Sequence, residues 1–78
     1  MENSQELTFG GKACGVSFNP GQNPEVTRIK GAFADLVDML NDLRKINDNP
    51  EKIRMLSIAI TDLQTSQMWA VKAVTWQF

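Results

Sequence analysis

Apolar residues recur at helical spacing along two long stretches of the chain. In the first stretch the intervals are 3, 4, 3, 4 and 3 residues, at Val26, Ile29, Phe33, Leu36, Leu40 and Leu43. In the second stretch the intervals are 3, 4, 3, 4, 3 and 4, at Ile53, Leu56, Ile60, Leu63, Gln67, Ala70 and Val74. This spacing predicts two amphipathic helices, each with one seam of positions that face a core.

Both stretches open on the same three residues, Asn-Pro-Glu, beginning at Asn23 and at Asn49. Asn is a preferred N-cap, Pro fits the first helical position, and Glu suits the positive end of the helix dipole. We therefore expect helices over residues 24–47 and 50–76. Because the turn between them is short, they fold back on each other, and the expected fold class is all-α: an antiparallel two-helix hairpin in one domain over residues 1–78.

Residues 1–23 have a different composition from the rest of the chain. They hold four of the five glycines and also Pro20. This composition predicts a loop or a short extended segment, in which residues 13–18 are the only part that could pair as a strand.

Self-association is expected because the hairpin has few other sources of stability. A chain of 78 residues buries roughly 60–65% of its surface and is marginal as a monomer. Cys14 is the only cysteine and there is no histidine, so neither an intrachain disulfide nor a zinc site is expected. The second helix has apolar residues beyond its seam, including Trp69 and Trp76, and such a helix is buried on more than one side. We expect a homo-oligomer.

The charges and motifs exclude several classes of function. Eight Lys and Arg stand against nine Asp and Glu, without the basic excess of a DNA-binding protein. The N-terminus lacks the pattern of a signal peptide, and the longest apolar-rich stretch, residues 68–78, is too short to span a membrane. Without histidine there is no Ser-His or Cys-His pair, and no phosphate-binding glycine motif is present. We expect a cytosolic protein that is not an enzyme and uses no cofactor.

The segment from Gly15 to Pro24 is the strongest candidate for a ligand site. It combines the aromatic Phe18 with side-chain amides and leads into a helix N-terminus, where N–H groups favour phosphate. An aromatic face can stack on a nucleobase, and amides can bind its edge. Lys30 follows where it could reach a phosphate, and Lys72 either extends to solvent or presents a cation to an anion. The alternative is an ordinary capped turn with Phe18 as a hydrophobic staple, and from these residues alone it is the more common outcome.

Two motifs resemble a known family. Residues 17–20, Ser-Phe-Asn-Pro, with Gly21, Asn23 and then Ile29-Lys30, resemble the opening of a phage hairpin domain. Residues 68–73, Met-Trp-Ala-Val-Lys-Ala, with Thr75, resemble its second helix. The domain is shared by the anti-CBASS cyclic-oligonucleotide sponges and the anti-Thoeris signal sponges. The resemblance covers about residues 13–78. Without the β-rich domain that precedes the hairpin in the anti-Thoeris members, we expect the chain to be more similar to the anti-CBASS branch.

The resemblance implies both an assembly and a function. Members are helical hexamers that hold cyclic di- and trinucleotides in pockets between protomers, without cleaving them, so that host effectors are not activated. A phage protein of this kind would act in the host bacterial cytoplasm. The implied ligand-binding residues are Phe18, Asn19, Lys30, Lys72, Thr75 and Trp76. Many relatives have Tyr at the position of Phe18 and a basic residue at the position of Trp76.

Two other functions are compatible with the residues. The first is a protein-binding inhibitor or adaptor that uses the apolar helical surface, and the second is a purely structural helical assembly. Neither would bind a nucleotide.

Overall fold

A computed structural model describes residues 6–78. Three helices follow one another in chain order: α1 (Phe9–Ala13), α2 (Pro24–Lys45) and α3 (Pro50–Val74). The described part of the chain is all-helical and contains no strand. The strand considered for residues 13–18 is therefore wrong, because residues 14–17 form a turn. Residues 1–5, where the predicted N-terminal loop begins, lie outside the described residues.

Asparagine side chains cap the starts of both long helices. Asn23 Oδ1 accepts hydrogen bonds from two backbone N–H groups in the first turn of α2, at 2.8 and 3.4 Å. Asn49 Oδ1 does the same for α3, at 3.0 and 3.2 Å. α2 and α3 begin at the residues that the Asn-Pro-Glu pattern predicts, and each ends two residues before its predicted end, at Lys45 and Val74.

The two long helices pack against each other in opposite directions. Near the turn that joins them, the guanidinium of Arg44 in α2 donates to the hydroxyl of Ser57 in α3 at 3.0 Å. At the other end of the pair, Val26 at the start of α2 lines the same cavity as Val74 at the end of α3. The hairpin therefore brings the first turn of α2 next to the last turn of α3.

A short helix that the sequence did not predict, α1, packs against α2. The Thr8 hydroxyl caps it by accepting from the Gly11 N–H at 3.0 Å. The Gly10 N–H donates to Asp38 Oδ1 at 2.6 Å, and a Cβ atom at Gly10 would lie 2.1 Å from the Ala34 carbonyl oxygen. Only glycine permits this approach, so the glycines that argue against a helix are what allow this one to pack.

The buried core is small and lies where α1, α2 and α3 meet. Its buried members are Cys14, Ala34, Val37 and Ile60. Partly buried apolar side chains surround them: Ala13, Val16, Phe33, Leu40 and Leu63. Burial raises the pKa of the Cys14 thiol, and the Asp38 carboxylate adds to the rise while Lys30 opposes it. The thiol is therefore held in its neutral form as part of the core.

The buried face of α2 is rotated by about one residue from the predicted seam. Its buried residues are Val26, Lys30, Ala34 and Val37, whereas the seam residues Leu36 and Leu43 are 40% and 44% exposed. The reason is that α1 and the turn after it cover the side of α2 that carries Lys30 and Ala34. Asp38, which accepts the hydrogen bond from the Gly10 N–H, is consequently half-buried beneath α1.

Large apolar side chains are exposed near the end of α3. Met68, Trp69 and Trp76 are each 60% or more exposed, and the Trp76 and Phe78 rings meet edge to face with centroids 5.5 Å apart. Among residues 6–78, no helix has the length and apolar character needed to cross a membrane.

Candidate functional site

The turn between α1 and α2 presents an aromatic ring at the surface. Gly15 has a positive φ of 61°, which suits glycine, and the Phe18 N–H donates to the Gly15 carbonyl at 3.0 Å. The turn closed by this bond leaves the Phe18 side chain 71% exposed. Phe18 is therefore not packed as a hydrophobic staple.

The Asn19 side chain fixes the loop to the start of α2. Its Nδ2 donates to the Asn23 carbonyl and to the Thr27 hydroxyl, both at 2.9 Å. Its Oδ1 accepts from the Asn23 N–H at 3.2 Å. Both N–H donors of the amide group and one acceptor site of its oxygen are in use, so little of the side chain is left for a ligand.

The N–H groups at the start of α2 are also occupied. Asn23 Oδ1 accepts from the N–H groups of Glu25 and Val26, and the Thr27 N–H donates to the Asn23 carbonyl. Pro24 has no N–H to offer. The sequence suggests that N–H groups at the start of α2 bind a phosphate. In the structure these donors already have partners within the protomer.

Lys30 is buried beneath the Phe18 turn. The side chain is only 8% exposed, and its Nζ donates to the Gly15 carbonyl at 3.1 Å and the Phe18 carbonyl at 2.5 Å. The same Nζ lies 5.4 Å from the centroid of the Phe18 ring, a cation–π distance. A buried ammonium group is costly unless it is hydrogen-bonded, and these carbonyls supply two bonds.

A cavity of about 500 Å³ lies between the start of α2 and the end of α3. This volume falls within the range of small-molecule sites. Five of the six predicted ligand-binding residues line it: Phe18, Asn19, Lys30, Thr75 and Trp76. Pro20, Gly21 and Asn23 also line it and belong to the segment from Gly15 to Pro24 that the sequence singled out. The remaining lining residues were not predicted from the sequence: Val26, Val71, Val74 and Gln77. The antiparallel hairpin itself was the signal that could have found them, because it places residues 20–26 opposite residues 71–77.

The cavity wall combines exposed aromatic rings with polar side chains, most of which have partners within the protomer. Phe18 and Trp76 are 71% and 60% exposed, so their rings are open to a ligand. The Thr75 hydroxyl donates to the Val71 carbonyl at 2.8 Å, which leaves its lone pairs as acceptors. Among the described residues that line the cavity, Lys30 carries the only charge.

Lys72, the sixth predicted residue, does not line the cavity. Its Nζ lies 5.9 Å from the ring centroids of both Trp69 and Trp76. Because Trp76 is part of the cavity wall, Lys72 places an exposed cation at the rim. The described part of the chain contains no group of three or more His, Cys, Asp and Glu residues that could hold a metal ion.

The fold and the cavity together describe a small helical hairpin domain with a cavity lined by two aromatic rings. The family model described as "Acb2/Tad1, hairpin domain" matches residues 13–75. The chain therefore belongs to this family of anti-CBASS and anti-Thoeris sponge proteins, which confirms the resemblance carried by its two motifs. The family consists of sponge-type binding domains that bind signalling molecules. Comparisons with curated proteins and with solved structures give no match.

Proposed function

We propose that this protein is a non-catalytic sponge for cyclic di- or trinucleotide messengers. By holding them it would keep CBASS-type antiphage signalling of the host from being activated, and we place this action in the host cytoplasm. The observation that carries the proposal is the cavity between the helix ends, where Phe18 and Trp76 both expose aromatic faces. Membership in a family of sponge proteins supports the same function.

The cavity suits the base of a nucleotide. The rings of Phe18 and Trp76 offer stacking surfaces, each worth about 1–3 kcal/mol per stacked base. Val71 and Val74 provide an apolar wall, and the amide of Gln77 can both donate to and accept from a base edge. A base bound in this way is recognised without any chemical step.

The phosphates of such a ligand would meet the rim of the cavity. Lys72 lies there, next to Trp76, and is exposed to solvent. We propose that it pairs with a phosphate while the base stacks inside. One accessible cation in each protomer is enough for this role, because a cyclic dinucleotide carries only two phosphodiester charges.

A homo-oligomer would complete the site. The exposed side chains of Met68, Trp69 and Trp76 lie at the end of α3 that borders the cavity. A second copy packed there would bury apolar surface and close the open side of the cavity. Sequestration then follows from mass action, provided that the sites outnumber the messenger and the Kd lies below its working concentration.

Phe18→Ala tests the proposal by removing the stacking surface. We expect at least a tenfold weaker affinity for a cyclic dinucleotide, measured by titration calorimetry, because tenfold corresponds to about 1.4 kcal/mol and stacking contributes about 1–3 kcal/mol per base. Met39→Ala is the matched control, since Met39 is an exposed apolar residue, 59% accessible, on the same helix pair but outside the cavity lining. Equal affinities for Phe18→Ala and the parent would contradict the role of Phe18.

The exposed apolar surface also favours a second candidate, a protein-binding adaptor. Met68 and Trp69 are 61% and 66% exposed, and an apolar patch of this kind can mark a protein interface. This candidate predicts that Trp69→Ala abolishes capture of a protein partner while the parent protein binds no cyclic nucleotide. Tight nucleotide binding by the parent would exclude it as the main function.

A further inference from the structure

The side chain of Lys30 spans the two ends of the turn that carries Phe18. Its Nζ donates to the carbonyl of Gly15, where the turn begins, at 3.1 Å, and to the carbonyl of Phe18, where it ends, at 2.5 Å. The backbone closes the same turn with a single bond, from the Phe18 N–H to the Gly15 carbonyl at 3.0 Å. In the described part of the chain, Lys30 therefore supplies two of the three hydrogen bonds that the carbonyls of Gly15 and Phe18 accept.

The position of the Lys30 ammonium group also affects the orientation of the Phe18 ring. Nζ lies 5.4 Å from the ring centroid, so the cation favours the ring orientation in which it faces the aromatic π-system. The side chain is only 8% exposed. A ligand phosphate could reach the ammonium only through its one remaining N–H or by displacing a carbonyl, and a displaced buried carbonyl would lose its partner.

We propose that Lys30 is a positioning residue, which acts on ligand affinity through Phe18 and not by a direct contact with phosphate. It holds the turn from Gly15 to Phe18 so that the aromatic ring is already oriented toward the cavity before a ligand arrives. This inference rests on the proposed function, since the affinity in question is that for a cyclic nucleotide. It replaces the phosphate contact that the sequence suggested for Lys30.

The direct test is a double-mutant cycle between Lys30 and Phe18. Lys30→Met keeps most of the side-chain volume and removes the donors, and cyclic di-AMP and cyclic di-GMP serve as probes in calorimetry. We expect Lys30→Met to weaken binding about tenfold in the parent and less than twofold in the Phe18→Ala background, because the residue acts through Phe18. Equal losses in both backgrounds would overturn the proposal.

The salt dependence of binding separates positioning from a charge contact. A cation that pairs with a phosphate makes affinity fall as salt increases, and its removal flattens that dependence. We expect Lys30→Met to leave the slope of affinity against salt unchanged, and a flatter slope would overturn the proposal. Lys45→Met is the matched control, since it removes an equal charge from an exposed lysine far from the cavity.

A measurement without ligand keeps this inference separate from the proposed function. We expect Lys30→Met to increase hydrogen exchange of the Phe18 amide at least tenfold, while amides in the middle of α2 keep their protection. Unchanged exchange at Phe18 would overturn the positioning role even if cyclic nucleotides bind. If the parent binds no cyclic di- or trinucleotide, the proposed function fails and the exchange result still decides the role of Lys30. If Lys30→Met does not fold, Lys30→Gln takes its place, because glutamine keeps an N–H donor without the charge. Its effect is then measured by the salt dependence of affinity and by the double-mutant cycle with Phe18→Ala.

Discussion

Replacing Gly10 by alanine tests how α1 is held on α2. The new Cβ would lie 2.1 Å from the Ala34 carbonyl oxygen and 2.9 Å from Asp38 Oδ1. The nearer atom belongs to the backbone of a long helix, which cannot give way as the tip of a side chain can. α1 must therefore move off α2, and the hydrogen bond from the Gly10 N–H to Asp38, 2.6 Å long, breaks.

The expected cost follows from the breaking of this hydrogen bond. A hydrogen bond to a charged group contributes about 1.5–3 kcal/mol, and alanine recovers about 1 kcal/mol through its better helix propensity. We expect Gly10→Ala to lower the free energy of unfolding by about 0.5–2 kcal/mol. Gly31→Ala is a matched control in α2, because a Cβ there meets no atom within 4 Å. It should raise the free energy of unfolding by up to about 1 kcal/mol.

Urea unfolding followed by circular dichroism measures both variants. All samples must have the same protein concentration, since self-association makes the apparent stability depend on concentration. We expect the midpoint of Gly10→Ala to lie below that of the parent and the midpoint of Gly31→Ala to lie above it. If Gly10→Ala unfolds at or above the parent midpoint, the close packing of α1 on α2 is refuted.

Three further predictions concern the cap, the thiol and the second aromatic ring. Asn49→Ala removes the cap of α3 and should destabilise the protein by about 1 kcal/mol in urea unfolding, and an unchanged midpoint would contradict the capping role. Burial raises the pKa of Cys14, so the stability that it contributes is fully present below the pKa of the unfolded thiol, about 8.5, and is lost as pH rises through the folded value. The unfolding free energy should therefore fall above about pH 8.5 in the parent and less steeply in Cys14→Ala, whereas parallel curves would argue against a buried neutral thiol. Trp76→Ala should weaken cyclic-dinucleotide binding at least tenfold in calorimetry, because a stacking surface is lost. An affinity equal to that of the parent would show that Trp76 is not part of the ligand site.

The parts of the fold that depend on local signals could be predicted from the sequence. Asn23 and Asn49 each precede Pro-Glu and an apolar repeat, and capping needs only residues that are neighbours in the chain. α1 could not be predicted, because Gly10 and Gly11 lower the helix propensity of a five-residue segment. Its stability comes from Asp38, 28 residues away, which no local pattern reveals.

The sequence predicts which residues form the site better than it predicts the hydrogen bonds that they make. An antiparallel hairpin necessarily brings residues near Phe18 together with residues near Trp76. The partners of Asn19 and Lys30, by contrast, belong to the same protomer. Lys30 donates to two carbonyls of the turn, and Asn19 bonds to the backbone of Asn23 and the hydroxyl of Thr27. Whether an amide or an ammonium group faces a ligand or its own chain depends on the loop conformation, which residue types alone do not determine.

Native mass spectrometry with a panel of cyclic di- and trinucleotides tests the central claim most directly. We predict an oligomer whose mass increases in whole-ligand steps with at least one cyclic nucleotide, and Phe18→Ala should form the same oligomer with fewer ligands bound. An oligomer or monomer that gains no mass with any member of the panel would contradict the claim that this cavity holds a cyclic messenger.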